Sequence, residues 1–115
     1  MAGKITKTAK VDLSANETKA NVLQGTKLEN VPSGRNYDVR VYATASSDDV
    51  QHTLEADTDV AIQESIVGSQ GRVPVKPDDF VDAFAVEGGS KLFLQVSETG
   101  GSAQTYYYSI TLSPR

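Results

Sequence analysis

Apolar and polar side chains alternate with a period of two along most of this 115-residue chain, and two Gly-Gly sites cut the pattern in its last third. Phe80 to Val86, 91–96 and 105–112 are such runs. They are separated by Glu87-Gly88-Gly89-Ser90 and by Thr99-Gly100-Gly101-Ser102-Ala103-Gln104. Successive strand residues point to opposite faces, so the runs predict three antiparallel strands joined by turns. In the last run Tyr106, Tyr108, Ile110 and Leu112 share a face, and the strand is expected to close the domain from a buried position. The same alternation turns Tyr37, Val39, Val41, Leu92, Leu94 and Val96 inward and Tyr107 outward.

The first two-thirds of the chain is less regular. Ile5, Ala9, Val11 and Leu13 fall on one face, broken by Lys7, which predicts an N-terminal strand or an arm that becomes one on pairing. Ser14-Ala15-Asn16-Glu17 matches the S-x-x-E pattern that opens helices. Val22, Leu23, Leu28 and Val31 are too sparse for a helical stripe, so a short strand over 20–24 and an extended piece over 27–31 are expected instead. A turn at 32–36 leads into the Tyr37 strand, and Ser46-Ser47-Asp48-Asp49 closes it. Strands follow at 51–56 and 59–67, the second with Val60, Ile62 and Ile66 in phase. The two prolines of 72–77 each remove a ladder donor and make that stretch an extended edge or crossing segment. Over 80–86, Phe80, Val81, Phe84 and Ala85 also have helical spacing; the strand reading places Phe80, Phe84 and Val86 together, with Asp82 interrupting.

About eight short strands at intervals of roughly 8–12 residues predict an all-β fold, an antiparallel, jelly-roll-like β-sandwich. Residues 1–19 read as an N-terminal arm or edge strand and 20–115 as the sandwich domain. The chain has no cysteine, so neither a disulfide framework nor a thiolate zinc site is available. No run approaches the ~20 apolar residues of a membrane span, and Met1 to Lys7 lacks the apolar core of a secretory signal. The net charge of −4 argues against general nucleic-acid binding. Within residues 1–20, Lys4, Lys7, Lys10 and Lys19 outnumber Asp12 and Glu17 for a net of +2, leaving −6 on the remainder. A basic segment on an acidic body suits docking to a partner; lysines that blunt an edge strand give the same pattern.

Candidate chemistry is thin. His52 is the one histidine, read as an incidental surface residue, and no G-x-S-x-G elbow exists, so no enzyme is expected. The pairs Asp48/Asp49, Asp57/Asp59 and Asp78/Asp79 suit solvated turns, and the full calcium-loop spacing is missing, so no metal or cofactor is expected. Tyr106-Tyr107-Tyr108 suggests a sugar platform, but alternation leaves only Tyr107 outward.

The stretch Asp38-Val39-Arg40-Val41-Tyr42-Ala43, then Arg72-Val73-Pro74-Val75-Lys76-Pro77-Asp78-Asp79-Phe80 and the Tyr-rich strand ending Leu112-Ser113-Pro114, resembles small single-jelly-roll virion proteins of tailed bacteriophages. These are accessory capsid proteins of the cement or decoration type, and the similarity covers roughly residues 20–114. It implies a chain without an active site, made in the host bacterial cytoplasm and placed on the capsid surface. It also implies a homo-oligomer, a trimer before a pentamer, that binds the major capsid protein, with Lys4, Lys7, Lys10 and Lys19 as candidate docking residues. The alternative is a β-sandwich carbohydrate- or receptor-binding module of a tail fibre. Two or more outward aromatics on one sheet, or an aromatic-lined groove, would favour it.

Overall fold

A computed structural model describes residues 4–26, 28–47, 49–57, 59–66, 74–75 and 79–115, with the backbone alone over 59–66. Eight strands run through them: β1 (Ile5–Leu13), β2 (Thr18–Lys19), β3 (Tyr37–Ala45), β4 (Val50–Ala56), β5 (Asp59–Ile66), β6 (Phe80–Val86), β7 (Leu92–Glu98) and β8 (Gln104–Pro114). One sheet has the order β1-β8-β3-β6 and the other β2-β7-β4-β5, with every pair antiparallel. Except from β4 to β5, each successive strand crosses to the other sheet. Two four-stranded sheets interleaved in this way make a jelly roll.

Alternation builds the core as expected. Tyr37, Val39 and Val41 on β3, Leu92, Leu94 and Val96 on β7, and Tyr106, Tyr108, Ile110 and Leu112 on β8 are all buried between the sheets. Each such side chain contributes on the order of 1.5–3 kcal/mol relative to exposure. Tyr107, one residue out of phase, is only partly covered.

Ile5 pairs with Leu112 and the ladder runs unbroken to Leu13 with Gln104, so β1 is an integral edge strand of the first sheet. Lys7 shares the core-facing phase, opposite Ile110, yet remains exposed at the rim. A charge aimed inward on an edge strand discourages further strands from adding there.

Two local expectations are corrected and one open alternative is settled. Residues 20–24 form turns rather than a strand: Thr26 N–H donates to the Leu23 carbonyl at 3.0 Å and Gln24 N–H to Asn21 at 3.4 Å. Pairing with β7 continues on both sides, through Val22 N–H to Leu94 O at 2.9 Å and Leu92 N–H to Glu29 O at 2.8 Å. Between these anchors Leu23 and Leu28 drop into the core, so the sparse apolar residues plug the side of the sandwich. The Ser14/Glu17 pattern makes its reciprocal bond, Ser14 N–H to Glu17 Oε1 at 2.8 Å, but Asn16 takes a φ of 58° and the chain turns into β2 instead of a helix. On β6 a register shift between Val41 and Tyr42 puts Phe80 on the outer face, opposite Tyr42, while Phe84 and Val86 stay on the core side with half-buried Asp82. The segment 72–77 lies outside the described residues apart from Pro74 and Val75, as do the side chains of Val60, Ile62 and Ile66.

Candidate functional site

His52 is not on the surface. Val50, His52 and Leu54 share the inward phase of β4, and His52 is 2% exposed, with Nδ1 2.9 Å from the Tyr106 hydroxyl. Burial drives its pKa down to about 4, so the imidazole is neutral and sealed between the sheets. The alternation Val50-x-His52-x-Leu54 was the signal that places it there.

Glu98 also faces inward, at the end of β7, and is 2% exposed. It accepts N–H donors from Asn16 at 2.8 Å, Gly100 at 2.6 Å and Gly101 at 2.9 Å. The Asn16 bond leads the backbone donations that hold its carboxyl below the usual range, against the opposing effect of burial. It anchors the β1–β2 and β7–β8 turns to each other. A Cβ at Gly100 would run into the Asp49 side chain, which explains a glycine there.

The acidic pairs separate similarly. Asp57 sits at a φ of 52°, and its Oδ1 accepts the Lys91 N–H at 2.8 Å while its own N–H donates to Lys91 O at 2.9 Å. Asp79 Oδ2 accepts the Val75 N–H at 2.8 Å. Asp79 acts as a local turn acceptor, whereas Asp57 ties the end of β4 to the residue before β7, 34 positions away. Asp48, Asp78 and the Asp59 side chain lie outside the described residues, and no group of three or more metal-ligating side chains occurs among the described ones.

The four lysines do not form one patch. Lys10 belongs to the outer phase of β1 and Lys4 lies just before that strand, Lys7 is in its core-facing phase beside Thr6, Gly25 and Thr26, and Lys19 lies on β2, 3.4 Å from Glu17. Three stand exposed on or beside one edge strand; the fourth is partly neutralised on the other sheet.

Among the described residues, two depressions lie on the outer faces of the sheets. On the β2-β7-β4-β5 sheet a cleft of about 560 Å³ is lined by Glu55, Asp57, Lys91 and Phe93. Phe93 is 36% exposed, held outward between buried Leu92 and Leu94, and Glu55 is its direct cross-strand partner. The fixed exchange between Asp57 and Lys91 forms one end, and Lys91 Nζ reaches to 3.8 Å from Glu29. On the opposite sheet a depression of about 380 Å³ is lined by Lys4, Asp38, Arg40, Tyr42, Thr111 and Ser113. Neither cluster was picked out from sequence, although outward Phe93 follows from the Leu92/Leu94 phase.

No protein-family model matches the chain, and no curated protein matches it. Among solved structures it is similar to PliG, a periplasmic inhibitor of g-type lysozyme from Salmonella Typhimurium, at 10% identity and a TM-score of 0.45, covering 96% of this chain and 88% of that one. It is also similar to the C-terminal CBM6 of LamC, a marine laminarinase from Zobellia galactanivorans, at 13% identity and a TM-score of 0.41, covering 90% and 99% respectively. At these identities nothing of either protein's binding carries over.

Proposed function

We propose that this chain is a non-catalytic β-sandwich binding module that takes a glycan in the Glu55/Asp57/Lys91/Phe93 cleft. The observation that carries the reading is Phe93. It presents a partly exposed apolar ring on the outer sheet face, beside the Glu55 and Asp57 carboxylates and the Lys91 ammonium. A sugar ring offers C–H groups to an aromatic face and hydroxyls to charged acceptors and donors, and a site of few convergent polar groups about an apolar floor suits it. The Asp57–Lys91 exchange is already made in the free protein, so this wall needs little ordering on binding. The one histidine is sealed in the core, away from the cleft, which supports binding without turnover.

Isothermal titration against a panel of neutral oligosaccharides tests this. Binding that Phe93→Ala weakens by at least about tenfold, with the fold intact, is expected for a stacking contact. Failure of every panel member, or equal affinity in the variant, would overturn it.

A second reading, a capsid decoration protein, is favoured by Lys4, Lys7 and Lys10 standing exposed along β1 or just before it on an otherwise acidic chain. It predicts a trimer by light scattering and co-sedimentation with shells that lack the protein. A strict monomer that ignores such shells would remove it.

A further inference from the structure

Beyond Tyr107, the small hydroxylated side chains Ser109, Thr111 and Ser113 occupy the outer phase of β8, with longer side chains beside them on β3. Cross-strand pairing sets Thr6 and Arg40 on either side of Thr111, and Thr8 and Tyr42 on either side of Ser109. Asp38 is opposite Ser113, and Lys4, two residues before Thr6, completes that end. The result is a trough along β8. Its floor is recessed: Ser109 is 4% and Thr111 8% exposed. Lys4, just before β1, and Asp38, Arg40 and Tyr42 on β3 stand on either side of it, on strands two spacings or about 10 Å apart.

The floor retains hydrogen-bonding capacity. Thr6 Oγ1 and Thr111 Oγ1 lie 3.1 Å apart, and Thr8 Oγ1 and Ser109 Oγ 3.0 Å. One hydroxyl in each pair donates to the other, so one O–H per pair, and lone pairs on both, stay available. The walls are cationic. Asp38 is engaged by Arg115, Nε to Oδ1 at 3.2 Å, while Lys4 and Arg40 have no ion-pair partner among the described residues. Two cations without an ion-pair partner, beside a row of hydroxyl pairs that each keep one O–H to donate, on a chain of net charge −4, fit one kind of ligand: a hydroxyl-rich chain that itself carries an oxyanion.

We infer that this trough is a second binding site, for an acidic glycan, in which Lys4 and Arg40 hold a carboxylate or sulfate and the Thr111/Ser109 floor bonds the sugar hydroxyls. It lies on the sheet opposite Phe93 and stands or falls separately from that cleft.

Titration of the isotope-labelled protein, followed by amide NMR, tests the site with four probes: tetragalacturonate, a sulfated carrageenan tetrasaccharide, neutral cellotetraose and octathymidylate. Shifts at Arg40, Thr111 and Ser113 with one or both acidic sugars are expected; a response to the first alone assigns the carboxylate and to the second alone the sulfate. Arg40→Gln should weaken binding about tenfold, as loss of a charge-assisted contact implies, and reduce its salt dependence. Thr111→Val should weaken binding without changing the salt dependence, and Phe93→Ala should leave it unaltered. The inference is overturned if neither acidic sugar binds or if cellotetraose binds as well as they do. It is equally overturned if octathymidylate binds as tightly or if Arg40→Gln, with dispersed spectra, matches the parent.

Discussion

The Nδ1 of His52 on β4 and the hydroxyl of Tyr106 on β8 lie 2.9 Å apart, a polar contact that ties the two sheets together through their shared core. The rings meet edge-on, with centroids 5.7 Å apart and an interplanar angle of 75°. Tyr106 is fully enclosed, so its phenol is held neutral at all ordinary pH, and the Tyr108 ring lies tilted beside it, centroids 6.0 Å apart.

Removing one partner leaves the other buried and unsatisfied. Tyr106→Phe is therefore expected to cost about 1–3 kcal/mol, the penalty for an orphaned buried polar group. Combining it with His52→Leu should cost less than the sum of the single changes, because no polar atom then remains unpaired. Urea denaturation of all four proteins in a double-mutant cycle measures the coupling; strict additivity would contradict it.

His52 also sets an acid response. Its folded pKa of about 4 lies below its unfolded value of 6.5, so between these values the unfolded chain binds the extra proton. Stability is then full above pH 6.5 and falls as pH drops towards 4, by about 3 kcal/mol if the whole shift is expressed. Glu98 and Glu17, whose carboxyls are held low, add their own loss at lower pH still. Urea midpoints measured from pH 7 to 4 should decline in the parent and be flatter in His52→Leu.

Glu98→Gln keeps the size of the side chain but removes the charge that gathers three backbone donors. The amides of Asn16, Gly100 and Gly101 should exchange faster with solvent, ahead of any change in the β3 and β8 amides. Uniform acceleration across the sandwich would show that Glu98 supports the whole fold rather than the two turns.

Deleting residues 1–13 should unfold or aggregate the protein rather than trim a loose arm. The deletion strips the outer ladder from β8 and removes buried Leu13, leaving a long strand with an unpaired edge. Circular dichroism and light scattering of the truncated chain check this, and a folded monomer would refute it.

Every strand except β2, and most of the core, was legible in the amino-acid order. Tyr37-x-Val39-x-Val41 and Tyr106-x-Tyr108-x-Ile110-x-Leu112 alternate in a way only a half-buried strand uses, and that periodicity is local. Gly-Gly with flanking Ser and Thr marked the turns for the same reason. The phase of His52 was equally available, between Val50 and Leu54; composition, which treats a lone histidine as surface, obscured it. Phe80 was different: the one-residue slip beside Tyr42 that turns it outward comes from pairing with β3, which its own neighbours do not reveal.

What only the tertiary structure decided is adjacency. Ile5 and Leu112 are neighbours because burying both sheets in one core brings the first and last strands together, a choice made by the competition of all eight for partners. The hydroxyl floor of Thr6, Thr8, Ser109 and Thr111, with Arg40 beside it, is assembled from three strands far apart in sequence. The Glu55–Phe93 pair likewise joins residues with no local relationship. Alternation along one strand determines which face a side chain takes. Which other side chains share that face depends on long-range pairing, and both candidate sites are products of it.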